Sequence, residues 1–136
     1  MSKKYIKKLD TVYTLQHKHF SKFWKKRSIP KGQISYHKKN FSKYFGLTIK
    51  NFKTKKILES GAGPGVHAVA LALMGSEVYA SDILISNVKR MKILKKLYKL
   101  NNLKISQHDF RKKYTKSKNF DLVSCHNWIQ HTPNPC

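Results

Sequence analysis

One short run concentrates the residue types that could handle a ligand. Ile57-Leu-Glu-Ser-Gly-Ala-Gly-Pro-Gly65 sets an acid, Glu59, two residues before the first of three glycines spaced two apart, Gly61, Gly63 and Gly65. An apolar run, a glycine turn and a helical pattern follow one another without a gap. That order carries a nucleotide-like ligand to a helix N-terminus in α/β proteins. Glycine suits the turn because it adopts positive φ and lets the backbone approach a ligand closely. Pro64 fits the first helical turn, where a missing N–H breaks no intrahelical bond. A second acid, Asp82, closes the next apolar run 17 residues after Gly65. Its ionised carboxylate is acceptor-only and can take both vicinal hydroxyls of a ribose, with Ile83 as an apolar wall for a base. The plainer reading of a lone Asp after a strand is a turn or N-cap residue; the register with the glycine loop favours the ribose.

These residues need strands and helices to hold them. Lys55–Glu59 reads as the first strand, and Val66–Met74 as a helix with Val66, Val69, Ala70 and Leu73 on one face and Gly75 as its stop. Glu77–Asp82 is the second strand. Ser86–Leu100 is a periodic helix, with Val88, Met91, Leu94, Leu97 and Tyr98 toward the sheet and a lysine row toward water. Leu103–Gln107 is the third strand, followed by His108, Asp109 and Phe110. A lysine-rich connection over 111–119 leads to a fourth strand, Phe120–Cys125. Upstream, residues 4–26 carry an amphipathic stripe including Trp24, and Ile34–Phe45 is a second helix stopped by Gly46. Tyr36 and His37 lie on this second helix, where packing is the simpler role for each. The chain divides into an N-terminal helical extension, 1–54, and an α/β domain, 55–136.

The pattern Glu-x-Gly-x-Gly-x-Gly resembles the first motif of class I S-adenosylmethionine-dependent methyltransferases. Asp109-Phe110 resembles that family's adenine-end contact. Phe120-Asp-Leu-Val and the run from His126 to Pro135 resemble its fourth motif. The resemblance covers about residues 55–135, and it implies a Rossmann-like three-layer sandwich with strands in the order three, two, one, four. It further implies S-adenosyl-L-methionine as cofactor, with Glu59 near the ammonium end, Gly61, Ala62, Gly63 and Gly65 beneath the methionine half, Asp82 and Ile83 at the ribose and adenine, and Asp109, Phe110 and His126 completing the site. His126, Asn127 and Trp128 are substrate-side candidates, and His126 or His131 would be the base if the reaction uses one. The family has seven strands, and this chain supplies four. It therefore reads as the N-terminal fragment of a longer enzyme, with the cofactor half present.

Composition sets the bounds. The chain of 136 residues is long enough for one modest core, and 40% hydrophobic residues favour folding over disorder. There is no membrane-spanning run and no apolar signal segment, and Cys125 and Cys136 make no disulfide framework, so a cytoplasmic protein is expected. The net charge is +23, with more than half of the basic residues in 1–56 and none from Ile57 through Val88. A cation-free window of that length in so basic a chain marks a buried βαβ segment. Glu59, Asp82, Asp109 and Asp121 all fall at or beside strand ends.

Of the 29 basic residues only Arg27, Arg90 and Arg111 are arginines. Phosphate-reading surfaces lean on Arg, so solvated lysine faces are favoured over nucleic-acid binding. That rival, a basic RNA-binding or RNA-modifying protein on the same fold, stays open. So does a nicotinamide-dependent oxidoreductase, although Val66 occupies the place of the third fingerprint glycine. A zinc site from Cys125, His126, His131 and Cys136 matches no usual ligand spacing, and no metal is expected. The methyl acceptor is unidentified, a small molecule being favoured over RNA or protein.

Overall fold

The computed structural model describes residues 15, 18, 19, 22, 32–110, 112–114 and 119–126. Leu15, Lys18, His19 and Lys22 are helical; the rest of the helix expected over 4–26, Trp24 included, lies outside the described residues. So do Asn127, Trp128, His131 and Cys136.

From residue 32 on, the described residues form, in order, α1 (Gln33–Phe45), α2 (Ile49–Phe52), β1 (Lys56–Ser60), α3 (Val66–Leu73), β2 (Glu77–Asp82), α4 (Ile85–Leu97), β3 (Leu103–Gln107) and β4 (Leu122–Ser124). The four strands form one parallel sheet in the order β3-β2-β1-β4. This is the Rossmann-like arrangement, and its strand order is the one anticipated. The crossovers β1-α3-β2 and β2-α4-β3 move the same way across the sheet, so right-handed connections put α3 and α4 on one face.

The cation-free window is the heart of the core. Ile57, Val69, Leu71, Val78, Met91 and Leu103 are buried in one cluster with Phe41 and Phe52 from the upstream helices. Helix α3 is apolar around nearly its whole circumference, as a helix must be when it lies between a sheet and another helix. Helix α1 covers it, stacking Phe41 against Phe45 and Phe52. Gly46 ends α1 in the left-handed conformation, as its position suggests.

Several local expectations need correction. Leu73 is half-exposed, and Ala68, Leu71 and Ala72 are buried instead, because α3 is covered on two sides rather than one. Leu97 and Tyr98 are exposed, and Leu100 is buried in their place. The reason is local: α4 stops early in a Schellman turn. Lys99 takes a positive φ of 52°, Lys99 N–H donates to Lys96 O, and Leu100 N–H donates to Lys95 O, which swings Leu100 back onto the core. Pro64 lies before the helix, since Gly65 is the N-cap of α3. The fourth strand is shorter than expected, and Cys125 is exposed rather than part of a buried strand.

Asp121 belongs to the opposite end of the sheet from the glycine loop. Its Oδ2 accepts from Lys56 N–H at 2.7 Å, pinning the start of β4 to the start of β1.

Candidate functional site

Glu59 sits on β1 between Ala80 of β2 and Ser124 of β4. It is buried, and its Oε2 has no hydrogen-bond partner among the described residues. Removal from water pushes its carboxyl up to about 8, against a weaker opposing hydrogen bond from Ser124. At neutral pH Glu59 is therefore mostly a neutral acid with an unsatisfied oxygen.

The loop that follows is held by the end of β2. Ala62 N–H donates to Ser81 O at 2.9 Å, and Gly65 N–H closes a turn onto Ala62 O at 2.9 Å. Asp82 ties the two segments together: Oδ2 accepts from Gly63 N–H and Oδ1 from Leu84 N–H, each at 2.8 Å. Burial raises the Asp82 carboxyl, and the backbone donors of Leu84, Gly63 and Ile83 together with Asn87 oppose that rise.

The glycines divide their work. All three take positive φ, but a Cβ on Gly63 would meet nothing within 4 Å, whereas one on Gly65 would lie 2.5 Å from Met91 Cγ. Gly63 leaves open space above the loop; Gly65 lets α3 pack against α4.

The end of β3 stands beside the end of β2. His108 N–H donates to Asp82 O at 3.0 Å, and Gln107 Nε2 donates to Ile83 O at 2.9 Å. Ile83, Asp109 and Phe110 are half-buried here, with Phe110 edge-on to His108. The carboxyl ends of β1, β2 and β3 thus gather Glu59, Gly61, Ala62, Gly63, Gly65, Asp82, Ile83, Asp109 and Phe110 at one rim of the sheet. That is where open α/β sheets take their ligands.

His126, just past β4, joins this rim in a way spacing did not suggest. Its ring lies 4.2 Å from that of His67, between centroids, and His67 lies 4.0 Å from His37 of α1. His67 Nε2 and His37 Nε2 are 3.2 Å apart, so one donates to the other. His67 Nδ1 is 3.8 Å from Glu59 Oε1. Burial lowers the His67 imidazole to about 3, and the neighbouring His37 and His126 add to the fall. His37 is lowered by burial and then by His126. With Glu59 raised and His67 lowered, this close pair is neutral at pH 7 rather than an ion pair.

His67 escaped the sequence reading, although one signal was present: it is the only histidine in the window from Ile57 through Val88, which has no lysine or arginine. Among the described residues no group of three or more His, Cys, Asp or Glu is arranged to hold a metal ion. Partial desolvation, and the charge Glu59 carries once it ionises, push the Cys125 thiol up, the opposite of an activated nucleophile.

A parallel sheet in this strand order, with an acid and a glycine loop at its carboxyl rim, defines a nucleotide-type α/β domain. The family described as "Methyltransferase domain" matches residues 51–136, and the chain belongs to that family. No curated protein matches it. Among solved structures, EvdMO1 is 21% identical with a TM-score of 0.61, over 76% of this chain and 23% of that one. The YcgJ protein from Bacillus subtilis is 22% identical with a TM-score of 0.56, over 65% of this chain and 39% of that one. Coclaurine N-methyltransferase, crystallised with N-methylheliamine and SAH, is 13% identical with a TM-score of 0.57, over 72% and 28%. At these identities the likeness is one of fold. The chain spans less than half the length of each.

Proposed function

We propose that the chain binds S-adenosyl-L-methionine and serves methyl transfer to an acceptor, with a small molecule favoured. The observation that carries this reading is the unpartnered, buried Oε2 of Glu59 beside a glycine loop with open space at Gly63. A buried carboxyl oxygen without a partner is costly, and an ammonium group would relieve it. Family membership and neighbours crystallised with SAH support the same ligand.

When bound, the cofactor supplies a sulfonium-activated methyl group, so the protein's contribution is orientation and proximity. Glu59 would hold the ammonium end. Gly61, Ala62 and Gly63 would form the floor, and Gly65 lets α3 pack against α4 behind it. Asp82 fixes the loop through Gly63 N–H and would meet the ribose hydroxyls. Ile83, Asp109 and Phe110 would flank the adenine. His126 lies on the side where the acceptor would enter, with Asn127 and His131 as further candidates from the sequence.

Among the described residues no helix is long and apolar enough to cross a membrane. A cytoplasmic location fits the cysteine usage and is part of this proposal.

Calorimetry of the chain with S-adenosylhomocysteine and with a nicotinamide dinucleotide tests the reading. Binding of the first alone is expected; binding of the dinucleotide alone would overturn it.

A further inference from the structure

Glu59, His67 and His37 come from β1, α3 and α1, yet they make one line of side chains. Glu59 Oε1 lies 3.8 Å from His67 Nδ1, and His67 Nε2 lies 3.2 Å from His37 Nε2. Both ends of the line are unfinished: Glu59 Oε2 and His37 Nδ1 are buried without hydrogen-bond partners among the described residues. Unsatisfied buried polar atoms of this kind are costly, so each end marks where a ligand atom would be stabilised. The His37 ring is held by stacking on Phe41 and by an edge contact with Tyr36. With the ring fixed, the position of its hydrogen is its main freedom.

Two neutral imidazoles that share one N–H between their Nε2 atoms have two arrangements. A carboxylate at Glu59 attracts a hydrogen to His67 Nδ1. That leaves His67 Nε2 bare, so His37 Nε2–H donates to it and His37 Nδ1 carries a lone pair. A neutral Glu59 acid does the reverse. Its O–H is drawn to a bare His67 Nδ1, His67 Nε2–H donates to His37 Nε2, and His37 Nδ1 carries the hydrogen. The state of one carboxyl group thus decides whether the far end of the line accepts or donates. The 3.8 Å gap is longer than a hydrogen bond, as such contacts often are before ligands close them.

We infer that Glu59, His67 and His37 form a tautomer relay, in which an ammonium bound at Glu59 turns His37 Nδ1 into the atom that takes the methyl acceptor's proton. This rests on the cofactor reading above and names the acceptor class: an O–H or N–H nucleophile that sheds its proton on methylation. The acceptor's hydrogen passes to His37 Nδ1 as its heteroatom forms a bond to the methyl carbon. The carbon–sulfur bond breaks, and its electron pair stays on sulfur. The positive charge on His37 is stabilised through His67 by the ionised Glu59. His37 is then the base and His67 a positioning residue.

The surroundings keep the relay off until a ligand arrives. Burial holds Glu59 neutral up to about pH 8 and keeps His67 uncharged down to about 3, so the hydrogen shifts between ring atoms rather than charging a ring. Among the described residues the other titratable groups facing the line are His126, packed on His67, Cys125, which senses Glu59, and Tyr36 beside His37. None bridges its two ends.

Long-range proton–nitrogen correlation spectra of the ¹⁵N-histidine-labelled chain read both tautomers directly. At pH 7, saturating S-adenosylhomocysteine is expected to invert the majority tautomers of His67 and His37. In the free protein the same inversion is expected as pH rises from 7 to 9 and Glu59 ionises, and Glu59→Gln should abolish it. Unchanged tautomers across that pH range, or with the ligand bound by calorimetry, would overturn the relay. Failure of the ligand to bind would overturn the cofactor reading and its coupling, while the pH arm reads the relay by itself.

Discussion

At the residue scale, Glu59 and His67 are two neutral groups that water would prefer to charge, and they pull stability in opposite directions with pH. Glu59 is raised from 4.5 to about 8 on folding, so the folded state holds a proton that the unfolded chain releases. Its effect is to lower stability as pH rises from about 4.5 to 8. His67 is lowered from 6.5 to about 3, so below pH 6.5 the unfolded chain takes up a proton that the folded state refuses. Its effect is to lower stability as pH falls from 6.5 to 3. Between 4.5 and 6.5 the two slopes offset each other, and above 6.5 Glu59 acts alone. Denaturant titrations at pH 6 and pH 8 should show the wild-type chain losing on the order of 1–2 kcal/mol. Glu59→Gln should lose clearly less, and an equal loss in both would mean that Glu59 is not the group responsible. Asp82, also raised by burial, acts in the same direction as Glu59 but is common to both chains. None of this was legible from spacing. Glu59 could be marked as a ligand-facing acid from its place before Gly61, but its neutrality follows from burial between Ala80 and Ser124, which only the strand order supplies.

At the element scale, the loop from Gly61 to Gly65 must satisfy a ligand above it and α4 behind it. Gly63→Ala would place a methyl group in open space at φ 55°, and the left-handed backbone alone would cost about 1–2 kcal/mol. Gly65→Ala adds an overlap with the buried Met91 side chain at φ 91°, so its cost should reach about 2–4 kcal/mol. Thermal melts and calorimetry should therefore separate the pair: Gly65→Ala chiefly lowers the melting midpoint, and Gly63→Ala chiefly weakens S-adenosylhomocysteine binding. Similar losses of stability in the two would mean that the loop has one role rather than two. The end of α4 offers the opposite change. Lys99 holds a left-handed conformation at the position where glycine is usual, so Lys99→Gly should stabilise the fold by roughly 0.5–1 kcal/mol, read as a higher melting midpoint. The strands were legible because their apolar runs end at acids or turn residues. The buried faces of α3 and α4 were not, because periodicity names a stripe but cannot tell that α1 covers a second side or that a Schellman turn ends the pattern early.

At the scale of the whole molecule, charge and site are kept apart. The chain carries +23, yet the segment that builds the glycine loop and its acid clamp has no lysine or arginine from Ile57 through Val88. Lys89, Lys92 and Lys96 are exposed along α4, and Lys99 is exposed in the turn that ends it. Cations crowded on a compact surface repel one another, and that repulsion relaxes when the chain expands. Salt shortens its reach, the Debye length falling from about 10 Å at 0.1 M to about 3 Å at 1 M. Raising sodium chloride from 0.05 to 0.5 M should therefore raise the melting midpoint. S-adenosylhomocysteine is a zwitterion without net charge, and its expected partners at the rim are Glu59, Asp82 and backbone groups, so its affinity should change less than about twofold over the same range. A site built on the lysines would behave otherwise, with affinity falling steeply as salt competes for the cations. A midpoint that rises while the affinity holds would assign the lysines to the solvated surface and leave the rim of β1, β2 and β3 as the place where the ligand is held.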